Sequence, residues 1–118
     1  MANRDLKLMD ADVADAIIQA CKEIKEGKLH QHFVVDMIQG GAGTSTKMNI
    51  NEVVANRALE ILGYEKGDYK HCHPNNHVNL SQSTNDAYPS AMKIALYRHI
   101  GDLMKSLEKL VYAFREKA

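Results

Sequence analysis

The chain shows no charge imbalance, little cysteine, no long apolar run and no internal repeat or low-complexity tract. Fifteen Lys and Arg stand against 15 Asp and Glu, a formal net charge of zero, so it has neither the basic footprint of a nucleic-acid binder nor an acidic tail. Partners must therefore be argued from sites, and no nucleic acid is expected. Cys21 and Cys72 are two lone cysteines, which excludes a disulfide framework and suits reduced thiols in the cytoplasm. No stretch approaches the roughly 18 to 20 apolar residues of a membrane-spanning helix. The N-terminus lacks the apolar core of a secretory signal, so no membrane partner is expected. The glycine-rich stretch Gln39-Gly40-Gly41-Ala42-Gly43-Thr44-Ser45-Thr46 lacks the Gly-Lys-Ser/Thr ending of a phosphate loop, and Lys47 follows no glycine. The Gly-x-Gly-x-x-Gly spacing of dinucleotide sites is missing too.

At 118 residues the chain is one domain or less. The pattern that is present is helical. From Asp10, a candidate N-cap, Val13, Ile17, Cys21 and Ile24 recur every three to four residues, and Gly27 stands where a left-handed residue would end a helix. Phe33 to Ile38 is a short, β-branched apolar run, expected as a brief extended segment that feeds the glycine stretch from a buried position. Ile50, Val53, Val54, Leu59, Ile61 and Leu62 predict a second helix of about four turns, closed by Gly63. Its Asn49, Asn51 and Asn56 are surface residues or buried hydrogen-bonding partners. Gly67 to Leu80, with Pro74 and many Asn and His, predicts a loop packed over neighbouring helices.

The last and longest helix is expected to begin near Thr84 or Asn85, with Pro89 inside its first turn and Gly101 as its weak point. Met92, Leu96, Ile100, Leu103, Leu107, Leu110 and Phe114 approximate a heptad stripe, and Ile94, Tyr97, Met104 and Val111 add a partial second one. A helix apolar on two sides sits inside a larger bundle. Other copies of the chain, or further sequence, are expected to bury it. Met9, Met37, Met48, Met92 and Met104 are read as core filler.

Two hydroxyl-rich stretches lead straight into helices: the glycine stretch, and Gln82-Ser83-Thr84-Asn85-Asp86. A helix start offers backbone N–H groups without intrahelical partners and the positive end of the macrodipole, so two of them suit an anion. Hydroxyls and amides without a fixed cation suit a carboxylate better than a polyphosphate. The plainer reading is a glycine turn followed by a Ser or Thr N-cap, with Asp86 complementing the dipole. His71, Cys72, His73 and His77 are good zinc ligands by type, but their spacing fits no specific zinc pattern, and loop packing is the plainer reading. Arg57 and Glu52 are read as structural ion-pair partners.

Phe33 to Ile38 leading into the glycine stretch, Met48 to Glu60, and His73 to Asn79 running into Gln82 to Asp86 resemble the aspartase/fumarase superfamily over nearly the whole chain. Gly-Gly-Ala-Gly-Thr-Ser and Ser-Thr-Asn-Asp are similar to its aspartase branch, whereas fumarases tend to read Gly-Ser-Gly-Thr-Gln and Ser-Ser-Asn-Asp. The resemblance implies an all-α fold. Residues 1–84 would be the C-terminal part of the N-terminal lyase domain, and 85–118 the first helix of the central helical bundle, an internal fragment whose opening residues continue an earlier helix.

The resemblance also implies an ammonia lyase that reversibly converts L-aspartate to fumarate through an aci-carboxylate intermediate. Thr44, Ser83 and Thr84 would bind the substrate β-carboxylate, and Asn85 would contact the substrate near its amino group. Donors aimed at the carboxyl group where charge develops stabilise the transition state. No cofactor and no metal are implied. The implied assembly is a cytoplasmic homo-oligomer, a tetramer in the complete enzyme, with each site built from three subunits. The family's base is a serine in a loop of the type Gly-Ser-Ser-x-Met-Pro-x-Lys-x-Asn-Pro, assisted by a Thr-His pair. Neither motif occurs here, so no catalytic residue is assigned and the chain alone is expected to be inactive. His73 and Asn75 match positions that form a second dicarboxylate site in fumarases, although Asn76 stands where an Asp is common. Two alternatives stay open: a class II fumarase fragment acting on malate, and a non-catalytic helical oligomerisation module.

Overall fold

The computed structural model describes residues 1–38 and 40–118, and among them there is helix but no strand. The all-α expectation is met. Four α-helices follow one another: α1 (Ala2–Asp5), α2 (Ala11–Lys25), α3 (Thr44–Ile61) and α4 (Thr84–Lys117). A 3-10 turn at His30–His32 and a single π turn at Pro74–Val78 punctuate the connections. The chain forms two compact units, Met1–Thr84 and Asn85–Ala118. Among the described residues no helix is long and apolar enough to cross a membrane.

Glycine ends α2 and α3 by one mechanism. Gly27 takes φ +89° and Gly63 φ +83°, left-handed values that only glycine adopts without cost. At α2, the Gly27 amide donates to the Ile24 carbonyl and Lys28 to Glu23, each at 3.0 Å. At α3, Gly63 donates to Glu60 and Tyr64 to Leu59. Both are Schellman ends, in which the two residues after the cap satisfy carbonyls the helix leaves unpaired.

The core of Met1–Thr84 lies where α2 meets α3. Ala16, Ala55, Ala58, Leu59 and Cys72 are buried together, with Val13, Ile17, Leu62, Tyr69 and Val78 packed around them. Alanines at the crossing bring the two backbones close, so the bulky positions of α2 flank the contact and do not fill it. Across its edge, Arg57 makes a two-pronged pair with Glu23, Nε to Oε2 at 2.7 Å and Nη2 to Oε1 at 3.1 Å, and reaches Glu60 as well. Arg57 therefore has the structural pairing expected of it. Glu52 instead accepts the Tyr69 hydroxyl.

The asparagines of α3 are hydrogen-bonding partners, and Asn49 and Asn56 each hold a loop. Asn49 donates to the His32 carbonyl and accepts the Val34 amide, and Asn56 donates to the Tyr69 hydroxyl and accepts the Gly67 amide. Helix α3 is longer than its apolar pattern predicts because its first turn carries Thr44 to Lys47, which no hydrophobic periodicity marks. Ile50 and Ile61 are partly exposed, while the polar Lys47 and Asn51 are buried.

Several expectations fail. Residues 33–38 form an irregular run with no strand partner among the described residues, and Val34, Met37 and Ile38 face solvent, because nothing among those residues covers them. Met37, Met92 and Met104 are exposed, so they fill no core here; Met9 and Met48 are half-buried. Pro89 is the sixth residue of α4, in its second turn and not its first, where it has no N–H to give to the helix. In Asn85–Ala118, both apolar stripes of α4 are exposed from Met92 to Phe114.

Leu59, fully buried, is the largest side chain of the α2–α3 core. Leu59→Ala should lower the unfolding free energy in urea by about 2–5 kcal/mol, and a loss well under 1 kcal/mol would mean the core lies elsewhere. Gly101 has nothing within 4 Å of where a Cβ would stand. Gly101→Ala should therefore stabilise α4 by about 0.5–1 kcal/mol, read as slower amide hydrogen exchange along that helix.

Candidate functional site

The two hydroxyl-rich stretches are tied together by one lysine. Gly41 and Gly43 both take positive φ, 79° and 77°, and Gly43 occupies the N-cap position of α3. The expected Ser or Thr cap is absent: the N-cap glycine has no side chain to accept the first amides, and among the described residues no side chain caps them. Thr44 is the first helical residue, exposed, and its hydroxyl has no partner among the described residues. Gln39, which opens the glycine stretch, lies outside the described residues.

The second stretch leaves a tight turn. Ser81 takes φ +63°, an uncommon conformation for a residue with a side chain, and the Gln82 amide donates to the Asn79 carbonyl at 3.0 Å. Asn79 Nδ2 returns a bond to the Gln82 carbonyl at 3.2 Å. These contacts fix the chain just before Ser83 and Thr84, where α4 starts. Asn85 is the first residue of the other unit.

Lys47 joins the two stretches. Its Nζ donates to Asn51 Oδ1 and to Gln82 Oε1, both at 2.9 Å. Lys47 is 7% exposed and Asn51 1%, so the pair sits inside the protein. Among the described residues no carboxylate pairs with the ammonium. Burial pushes Lys47 below the usual lysine range, with the Cys21 thiol on α2 opposing. A cation, hidden from pattern reading because lysine is normally a surface residue, thus stands beside stretches expected to offer only neutral donors. The signal that could have found it is the spacing of four between Lys47 and Asn51, which puts two polar groups on one face of a largely buried helix.

The histidines do structural work. His71 stacks on Tyr64, ring centroids 3.8 Å apart and planes 3° from parallel. His73 Nδ1 accepts the amides of Asn75 and Asn76 as the cap of the π turn, and His77 Nδ1 accepts the His73 amide at 2.7 Å. Among the described residues no three His, Cys, Asp or Glu side chains form a metal-binding group. A cavity of about 200 Å³ lies at Glu52, Arg57, Glu60 and Lys66. Its charges are already matched, since Arg57 and Lys66 both pair with Glu60 and Glu52 holds Tyr69.

A family model described as a lyase matches residues 1–118. The aspartate ammonia-lyase of Helicobacter pylori (strain J99) is 57% identical over 118 residues, which are 100% of this chain and 25% of that protein. The aspartate ammonia-lyase of Bacillus subtilis (strain 168) is 52% identical over the same span and share. Among solved structures, the fumarate lyase:delta crystallin of Brucella melitensis bound to cobalt superposes with a TM-score of 0.86 at 50% identity, covering 98% of this chain and 25% of that one. The chain spans about a quarter of the length of the relatives it matches.

Cys72, in the histidine stretch, yields a pH prediction. Burial pushes its thiol up to about 11, from about 9 for a thiol exposed to water in the unfolded chain, so folding favours the neutral form. The stability this contributes is complete below about pH 9 and is lost as pH rises through about 11. The unfolding free energy of the parent should therefore fall relative to that of Cys72→Ala across this window. A difference that does not change with pH would refute the assignment.

Proposed function

The chain belongs to the lyase family whose model matches it from end to end, and on that premise we propose that it supplies the carboxylate-binding part of an aspartate ammonia-lyase. The complete enzyme would reversibly eliminate ammonia from L-aspartate to give fumarate. In this reading Thr44, Ser83 and Thr84 hold the β-carboxylate and Asn85 contacts the substrate near its amino group. Removal of a proton from carbon 3 creates an aci-carboxylate with two negative charges on one carboxyl group, and ammonia then departs. The base lies outside this chain. Residues 1–84 would close the N-terminal domain and 85–118 would open the central helical bundle, where other copies in a homotetramer cover the stripes of α4.

The observation that carries the reading is the uncapped start of α3 at Thr44, held to the Ser83-Thr84 stretch through Lys47 and Gln82. Backbone amides at a helix start without a capping side chain are donors already in place, which is what stabilising a developing carboxylate charge requires. Neutral donors also leave the proton on carbon 3 to a base elsewhere, so binding and proton removal are separated. Whether the group eliminated is ammonia or water is tested directly by offering L-aspartate and malate to the complete protein that contains this segment.

In that protein, Thr44→Ala or Ser83→Ala should lower kcat/KM for L-aspartate by about 100-fold, with release of fumarate followed by its absorbance. Unchanged activity in both variants would defeat the site. Turnover of malate without turnover of L-aspartate would replace the aspartase reading with a fumarase one.

A further inference from the structure

We propose that Lys47 is a positioning residue of this lyase site, an inference that rests on the reading above: its buried ammonium locks Gln82 to the first turns of α3 and sets a fixed positive charge behind the carboxylate cradle. The location is costly twice over. A buried ammonium without a carboxylate loses hydration that two amide oxygens only partly replace. It also stands near the N-terminal end of α3, where the macrodipole is already positive and no acidic residue occupies the first turn.

Among the described residues the ammonium meets two amide oxygens, those of Asn51 and Gln82, and no carboxylate. An uncompensated charge beside a helix start with open amides acquires a counter-ion when an anion arrives, so the cost of burying Lys47 is relieved only in the liganded state. The bridge adds geometry to charge. Gln82 directly precedes Ser83, and Lys47 lies three residues after Thr44, so one Nζ fixes the two hydroxyl-bearing stretches at a common point. Lys47 itself need not touch the substrate. It acts through Gln82 and through the field.

The test uses the complete protein that carries this segment. Lys47→Met, which keeps the length of the side chain, should raise KM for L-aspartate and the inhibition constant for succinate by about tenfold, the loss expected for a charge-assisted interaction. Lys47→Arg, which keeps charge and donors, should recover most of both. A fall in kcat with KM and the succinate constant unchanged, or an equal loss in Lys47→Arg, overturns the inference and leaves Lys47 a packing residue. If Lys47→Met does not fold, Gln82→Leu cuts the same bridge: a several-fold rise in KM supports the inference, and an unchanged KM overturns it. A parent protein that does not release ammonia from L-aspartate fails the functional reading itself, and this inference falls with it; an active parent with indifferent variants fails the inference alone.

Discussion

The organisation of Met1–Thr84 depends on the requirement that the polar side chains of α3, buried and half-buried, be satisfied. A helix that buried only apolar residues against α2 would leave its surrounding loops free to choose their paths. Here Asn49, Asn51 and Asn56 are spread over two turns, and each carries its bonds outward: Asn49 to the backbone of 32–34, Asn51 through Lys47 to Gln82, and Asn56 to Gly67 and Tyr69. The Lys47–Asn51 bond is buried, where a bond is strong when made and expensive when missing. The loops are thereby specified by the helix and not by their own sequences, which are rich in turn residues and poor in apolar anchors.

The same requirement shapes the chemistry proposed for the site. Helix starts are usually sealed by a Ser, Thr, Asp or Asn side chain, and sealing α3 that way would consume the amides a ligand needs. Gly43 avoids this, because a left-handed glycine permits the turn and brings no acceptor of its own. The cost of a glycine in place of a capping side chain, a few tenths of a kcal/mol, is small beside the burial of Leu59 in the core that holds the helix in place. A rigid helix with an open end is stable because its other contacts make it so.

How much of this was legible in the sequence differs by residue and for physical reasons. Gly27 and Gly63 were readable because a left-handed helix end has essentially one solution, and the start of α4 at Thr84 was readable from the hydroxyl-rich stretch that leads into it. The core was read less well. Pattern analysis weights large apolar residues, but Ala16, Ala55 and Ala58 make the α2–α3 contact because small side chains permit close approach. The hydroxyl residues of the candidate site stood out through their clustering with glycine, whereas Lys47 did not, since burial of a lysine depends on partners 4 and 35 residues away. Met37 and Val34 show a further limit: composition tells that a residue prefers an apolar environment, not which surface supplies it.

That limit is greatest in Asn85–Ala118. From Met92 to Phe114 the spacing identifies an apolar stripe, and the structure shows a continuous helix with that stripe exposed. Contiguous apolar surface of this kind is rare on isolated soluble domains and common on helices cut out of bundles. The chain spans about a quarter of the length of its aspartate ammonia-lyase relatives. In a protein of that length the bundle would have the material to cover both stripes, from its own later helices or from other copies. The two units then face different demands under the proposed function. Met1–Thr84 has its own core and would pin the proposed carboxylate-binding stretches through α3, while the exposed apolar stripes of Asn85–Ala118 would be covered by assembly.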